Sequence, residues 1–351
     1  MAGSRLITIS KAELDPNPVQ AGKSYIVRVT LEKKAYWLDY PYDYAHDYAK
    51  GDESMSVKTV QAVINGQTYT LTKNTSTGKY EATITAPSKS SYTLSGHYYP
   101  VTVKATDDAG NVTTKDATDS TLGASLRLQV KEKVVPVITI TAPTASQYLA
   151  NSTPAIAWKI TDDDSGVNPS TIALKVDGTA VDTSKITKTA VTGGYTCSYT
   201  PASALSDGAH TVVATASDYD GNAAEQKSVT FTVDTIPPTL SISAPTEEFI
   251  TNKSTLTVKG TTDDETSKPV AITVNGVPIP VTNSGTFSKD VTLKEGSNTI
   301  TIVAKDKAGK TTTVTRTVKL DTAPPVIKSA TITPNPVDCG KTFVISVEVT
   351  D

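Results

Sequence analysis

Hydrophobic and polar residues alternate with a period of two along most of this 351-residue chain. That period places successive side chains on opposite faces of an extended strand. One such stretch occurs three times. It reads Val-Thr-Val-Lys-Ala-Thr-Asp-Asp-Ala-Gly-Asn at 101–111, Val-Val-Ala-Thr-Ala-Ser-Asp-Tyr-Asp-Gly-Asn at 212–222 and Ile-Thr-Ile-Val-Ala-Lys-Asp-Lys-Ala-Gly-Lys at 300–310. Val101, Val103 and Ala105 share one face, as do Val212, Ala214 and Ala216, and Ile300, Ile302 and Ala304. Each run ends in Asp-x-x-Gly. The aspartate accepts hydrogen bonds from turn amides and the glycine permits positive φ, so each copy predicts a hairpin. No window sustains helical periodicity, and the fold class is all-β.

The copies lie roughly 90 to 110 residues apart, about the size of one β-sandwich. The chain therefore divides into modules at 1–132, 133–234 and 235–321, with a partial module at 322–351. In the first, strands are predicted at 25–31, 57–64, 68–72, 80–85, 101–106 and 126–130, with a hairpin turn at Asn65-Gly66. In the second, Ile156, Trp158 and Ile160 alternate inward, and Tyr195, Cys197 and Tyr199 share a face. Asn275-Gly276 repeats the hairpin signal in the third. The joints Asp-Thr-Ile-Pro-Pro (234–238) and Asp-Thr-Ala-Pro-Pro (321–325) are short and stiffened by proline, so the modules string into an extended rod. The tail at 330–347 repeats the opening phrase at 12–29, with Pro-Asn-Pro-Val and Gly-Lys in register.

Charge narrows the function. Thirty-three basic and 36 acidic residues are interspersed, for a net charge of -3. No basic stripe collects phosphates, which disfavours nucleic acid. Two cysteines in different modules argue against a disulfide framework. There is no apolar leader at the start and no 18-residue apolar run, so membrane insertion is not expected. The three histidines are scattered, and neither a Gly-x-Ser-x-Gly elbow nor a phosphate-cradling glycine loop is present. A non-enzymatic role follows.

The Asp-Thr-x-Pro-Pro joints, the Val-x-Ala-x-Asp-x-x-Gly-Asn hairpin and Asp-Asp-Ser-Gly-Val at 163–167 resemble the tandem bacterial Ig-like modules. Such modules occur in surface adhesins, S-layer-associated proteins, polysaccharide-degrading enzymes and tailed-phage virion proteins. The Pro-Asn-Pro-Val-x-x-Gly-Lys opening is similar to modules of phage tail-associated proteins. The resemblance implies immunoglobulin-like sandwiches and lends no catalytic residue.

Three features are candidate sites. The segment 33–53 has no counterpart in the next two modules. It carries Tyr36, Trp37, Tyr40, Tyr42, Tyr44, His46 and Tyr48 with aspartates between them. Aromatic faces stack on sugars and protein surfaces at little entropic cost, so this insert is a candidate contact for a host-surface glycan or protein. His97, Tyr98 and Tyr99 form a second aromatic cluster, which joins it if the fold brings them together. The opposing reading packs all of these on the module's own flank or on the next module. The second feature is the set of aspartate runs, Asp162-Asp163-Asp164, Asp107-Asp108, Asp218 with Asp220, and Asp263-Asp264. None has EF-hand spacing, so turn formation and solubility are expected, with Ca2+ at module ends as the other reading. The third is the tail, whose Phe343, Ile345, Val347 and Val349 lie on one strand face and suit docking into another subunit or scaffold.

These features combine into an expectation of a virion component. It would assemble in the bacterial cytoplasm as a multi-copy or homo-oligomeric structure, dock by its C-terminal strands onto other virion or surface-assembly proteins and touch the host through the aromatic insert. A fragment of a bacterial cell-surface or S-layer adhesin is the alternative. An accessory module of a secreted polysaccharide hydrolase is the third.

Overall fold

A computed structural model describes the backbone at residues 4–36 and 56–351, and side chains at 7–33 and 56–351. Two compact units make up the chain. Met1–Thr144, Ala155–Tyr199 and Thr211–Val229 form the first; Ala145–Pro154, Thr200–His210 and Thr230–Asp351 form the second.

In the first unit, antiparallel strands run in the order Ser4–Asp15, Ser24–Tyr36, Tyr80–Thr85, Gln67–Lys73, Val57–Ile64, Tyr99–Asp107, Val112–Lys115. Gln67–Lys73 serves both halves of this ribbon. Its residues 67–71 pair with Val57–Ile64 and its residues 72–73 with Tyr80–Thr85. The ribbon closes over one core, where Val27, Val29, Val60, Ala62, Val101, Val103, Leu126 and Leu128 are at most 1% exposed. Along Tyr99–Asp107 every odd residue is buried, as period-two alternation requires. At the turn joining Val57–Ile64 to Gln67–Lys73, Asn65 and Gly66 have φ of 47° and 75°. Two consecutive left-handed residues twist with the strands, and only Asn and Gly accept that backbone cheaply.

The strand expected at 126–130 is broken. A 3-10 turn at Gly123–Leu126 leads into two-residue strands, Arg127–Leu128 and Val130–Lys131. The Asn17 side chain supplies the missing ladder bonds: its Nδ2 donates to the Arg127 carbonyl and its Oδ1 accepts from the Gln129 amide. Leu126, Leu128 and Val130 stay fully buried, so alternation survives without a continuous strand. The same unit holds a four-stranded sheet in the order Val137–Ala142, Ile156–Thr161, Gly194–Tyr199, Thr187–Val191. Ile156, Trp158 and Ile160 point inward at 0–1% exposure. Cys197 pairs opposite Trp158, and burial pushes its thiol up to about 11. Tyr195 and Tyr199, on the same strand face, are only half-buried.

In the second unit, a three-stranded sheet (Thr239–Ala244, Thr255–Asp263, Thr286–Thr292) accompanies a five-stranded one. The latter runs Phe249–Thr251, Thr311–Leu320, Gly296–Lys305, Ala271–Val274, Val277–Ile279. Val258, Ile272, Ile300, Ile302, Ala304 and Val318 form the core between them. The tail is a two-stranded hairpin, Val326–Thr333 with Val344–Thr350. Its register repeats that of the opening hairpin: Ile332 opposes Ile345 and Ala330 opposes Val347, as Leu14 opposes Val27 and Ala12 opposes Val29. Burial differs. Ala12, Tyr25, Val27 and Val29 are at most 2% exposed, whereas Phe343, Ile345, Val347 and Val349 are 48–60% exposed.

Candidate functional site

The repeated Asp-x-x-Gly hairpins place an aspartate in the same local frame each time. Oδ1 of Asp107, Asp218 and Asp306 accepts from the amide four residues on, at 2.8, 2.7 and 2.8 Å. Gly110, Gly221 and Gly309 turn the chain with φ of 88°, 93° and 92°. These aspartates are not surface groups. Asp107, Asp218 and Asp306 are 6%, 1% and 6% exposed, so burial and not solubility marks their place.

At two places the hairpin aspartate meets two further acids. In the first unit Asp218 meets Asp162, which follows the strand Ile156–Thr161, and Glu132, which follows the strand Val130–Lys131. In the second unit Asp306 meets Asp264, which follows Thr255–Asp263, and Asp234, which follows Lys227–Val233. In each trio one carboxylate oxygen from every member lies within 4.8 Å of the others. All six side chains are buried, at 1–7% exposure. Two unit charges at that separation repel by about 3–4 kcal/mol at an effective dielectric of ~20. Among the described residues no lysine or arginine forms an ion pair with any of the six.

Hydrogen bonds satisfy part of each trio. Glu132 Oε1 accepts from the Ser165 amide at 2.6 Å. Asp162 Oδ1 accepts from the amides of Asp164 and Gly166. Asp218 Oδ2 accepts from Asn222 Nδ2, and that amide also donates to the Glu132 carbonyl. In the second trio Asp264 Oδ1 accepts from the amides of Thr266 and Ser267, and the Ser267 hydroxyl donates to Asp234 Oδ2. What remains is a set of buried oxygens with no partner: Glu132 Oε2, Asp162 Oδ2, the Ser165 hydroxyl and Asp306 Oδ2. Burial raises the Glu132 pKa; hydrogen bonding from Ser165 opposes this, and the nearby charges of Asp162 and Asp164 add to it.

An aromatic stack begins at Tyr219, the neighbour of Asp218 in the first trio. Tyr219, between Asp218 and Asp220, stacks on Tyr92 at 4.1 Å, and Tyr92 stacks on His97 at 4.3 Å. Tyr98 lies half-buried with the Arg127 guanidinium 5.1 Å from its ring centre. Tyr99 is a core residue: it is 7% exposed and donates its hydroxyl to the Lys89 carbonyl, so it offers no face to a ligand. Trp37, Tyr40, Tyr42, Tyr44, His46 and Tyr48, with the side chain of Tyr36, lie outside the described residues.

Of the six acids, the aspartate runs in the sequence single out Asp162, Asp218 and Asp264 as candidate ligands; Asp306 reads only as a hairpin residue, Asp234 only as part of a joint, and Glu132 not at all. A signal for it existed. Glu132, Asp234 and Asp321 each stand four residues before a proline, Pro136, Pro238 and Pro325. Asp162 and Asp264 each open an Asp-x-x-Ser stretch. A cleft of about 370 Å3 in the second unit, lined by Thr262, Asp263, Lys268, Asn283 and Gly285, contains no nucleophile paired with a base. Its one cation, Lys268, is engaged by Asp263 at 2.9 Å.

Comparison with known proteins gives three partly overlapping matches across residues 138–322. Residues 138–235 match a family described as bacterial Ig-like domain, 193–278 one described as bacterial Ig-like domain (group 3), and 238–322 glucodextranase, domain B. Bacillopeptidase F of Bacillus subtilis (strain 168) is 36% identical over 123 residues, covering 35% of this chain and 8% of that protein. The PII-type proteinase of Lacticaseibacillus paracasei is 25% identical over 321 residues, 85% of this chain and 16% of that protein. The chain thus spans a small part of the length of these relatives. Among solved structures, the fibronectin(III)-like modules of Clostridium thermocellum CbhA align over 53% of this chain and 94% of theirs, at 21% identity and a TM-score of 0.36. With mostly antiparallel sheets and two overlapping bacterial Ig-like matches across 138–278, the chain carries Ig-like domains.

Proposed function

We propose that the chain is a non-catalytic spacer or attachment region of a larger secreted or surface-held bacterial protein, of the kind that accompanies a hydrolase. The observation that carries this reading is the match to the PII-type proteinase, which takes in 85% of this chain but 16% of that protein. The matching region is a small part of that proteinase, which fits an accessory rather than a catalytic role. Bacillopeptidase F and glucodextranase domain B point to the same setting, in which Ig-like modules sit beside enzymes. Separately cored sandwiches suit spacing, because each holds its shape without a partner. A virion role draws no support from these relatives. No helix of the described residues is long and apolar enough to cross a membrane.

The test has two arms. The purified chain is assayed for hydrolysis of casein and α-glucans, and antibodies against it are used on fractionated source cells. No turnover, with the antigen in medium or wall, is expected. Hydrolysis by the chain alone, or antigen confined to the cytoplasm, would overturn the reading.

An adhesive element within this region is supported by the tail. The strand face that is buried in the opening hairpin is open at Phe343, Ile345, Val347 and Val349. Such a face is completed by docking against a further sheet. Deleting 326–351 is expected to abolish any self-association seen by sedimentation; unchanged association rejects docking through these residues. Sugar or protein contact by the aromatic insert is tested by a glycan array with a Tyr36/Trp37/Tyr40 triple alanine variant, and equal profiles reject it.

A further inference from the structure

We propose that each buried acidic trio binds one divalent cation, Ca2+, with Glu132, Asp162 and Asp218 holding one ion and Asp234, Asp264 and Asp306 the other. The donors are all oxygens, with no imidazole or thiolate in either set, which selects a hard cation. Ca2+ binds oxygens at about 2.3–2.6 Å, so its ligands lie up to about 5 Å apart. The 4.8 Å bound on the carboxylate oxygens meets that requirement.

The orphaned oxygens point to a ligand independently of the acid count. Glu132 and Asp162 are 4% and 7% exposed, yet Oε2 of one and Oδ2 of the other are unpartnered. Ser165, 2% exposed beside them, has an unpaired hydroxyl. Asp306 repeats the pattern in the second trio, at 6% exposure with Oδ2 unpaired. A buried carboxylate without a counter-charge is costly, and coordination removes that cost. The remaining ligand positions fall to backbone carbonyls and water. Mg2+ fits less well, since it demands near-ideal octahedral geometry at about 2.0–2.1 Å, whereas Ca2+ accepts an irregular set of oxygens.

The assignment has a consequence for the chain. In each trio one acid follows the last strand of one sandwich, and the other two come from loops of the next. The ion therefore ties the joint to the module that follows it. The acid-x-x-x-Pro and Asp-x-x-Ser spacings recur with the trios, so the device is repeated and not incidental. It stands whether or not the chain spaces an enzyme.

Equilibrium dialysis of the chelator-treated full chain against radioactive calcium tests it, together with thermal unfolding in calcium and in EDTA. We expect two ions per chain at millimolar calcium and a higher melting temperature with calcium. Glu132→Gln and Asp306→Asn are each expected to leave one ion, and the double variant none. Both substitutions keep an oxygen for the amide that the native side chain accepts. Wild type that takes up no calcium, or a folded double variant that still binds two ions, overturns the proposal. The wild-type result decides even if a variant fails to fold. Displacement of bound calcium by equimolar Mg2+ overturns the choice of ion.

Discussion

Tyr25 offers a sharp test of how the first sandwich is packed. It is 1% exposed and its hydroxyl has no hydrogen-bond partner. The protein already carries the substitution that removes this oxygen, since the matching position in the tail is Phe343. A buried, unpaired hydroxyl costs about 1–3 kcal/mol, so Tyr25→Phe should stabilise the first sandwich by ~1 kcal/mol at pH 7. For a domain of this size that raises its melting temperature by about 3–5 °C. Burial, with a smaller effect from Tyr69, also raises the pKa of this phenol. Below pH 10 both folded and unfolded states hold the proton, and nothing changes with pH. Above it the unfolded chain ionises while the folded phenol stays protonated, so the wild type loses stability as pH rises, at up to ~1.4 kcal/mol per pH unit. The variant lacks this loss. Its advantage should grow from ~1 to ~2.5 kcal/mol between pH 8 and pH 11. Scanning calorimetry of the full chain reads both quantities, because the transition that moves identifies the first sandwich. A variant that melts lower at pH 7, or an advantage that stays flat to pH 11, would refute the reasoning.

Three further outcomes are expected. Trp158→Ala empties the centre of the middle sandwich, where the ring is 1% exposed, and should cost about 3–5 kcal/mol by urea denaturation. Gly285→Ala places a Cβ against the Thr262 carbonyl on a backbone with φ of 77°, and should cost at least ~1–3 kcal/mol, read as a lowered melting temperature of the module at 239–320. Hydrogen bonds from Lys11 and Lys79 lower the Glu13 carboxyl to about 2. The stability this supplies is present above the ordinary carboxylate pKa and is lost as pH falls towards 2. Because the pair is partly exposed, Glu13→Gln should cost under ~1 kcal/mol at pH 7 and nothing near pH 2, measured by urea midpoints.

The strands were legible because burial imposes a period of two that the sequence writes directly. Ile156, Trp158 and Ile160 in one module and Ile300, Ile302 and Ala304 in another turn inward as their spacing requires. The Asn-Gly hairpins were legible because two left-handed residues in a row admit few side chains. So was the repeat, since the tail hairpin copies the opening one residue for residue in register. The break at Gln129 was not legible: the bonds that replace the ladder come from Asn17, more than a hundred positions away. Tyr99 read as a surface aromatic because it follows Tyr98, yet in a strand neighbours face opposite ways, and it fell on the inner side. The acidic trios needed the tertiary structure most. Local spacing fixes each aspartate in its turn, but whether its outer oxygen meets water or two other buried carboxylates depends on which loops the sandwiches bring together. Sequence determined the hairpins and the faces of the strands, because those are set by neighbours in the chain. Folding alone decided the burial and convergence of Glu132, Asp162 and Asp218, and of Asp234, Asp264 and Asp306, because charges distant in sequence interact only once packing has excluded the solvent between them.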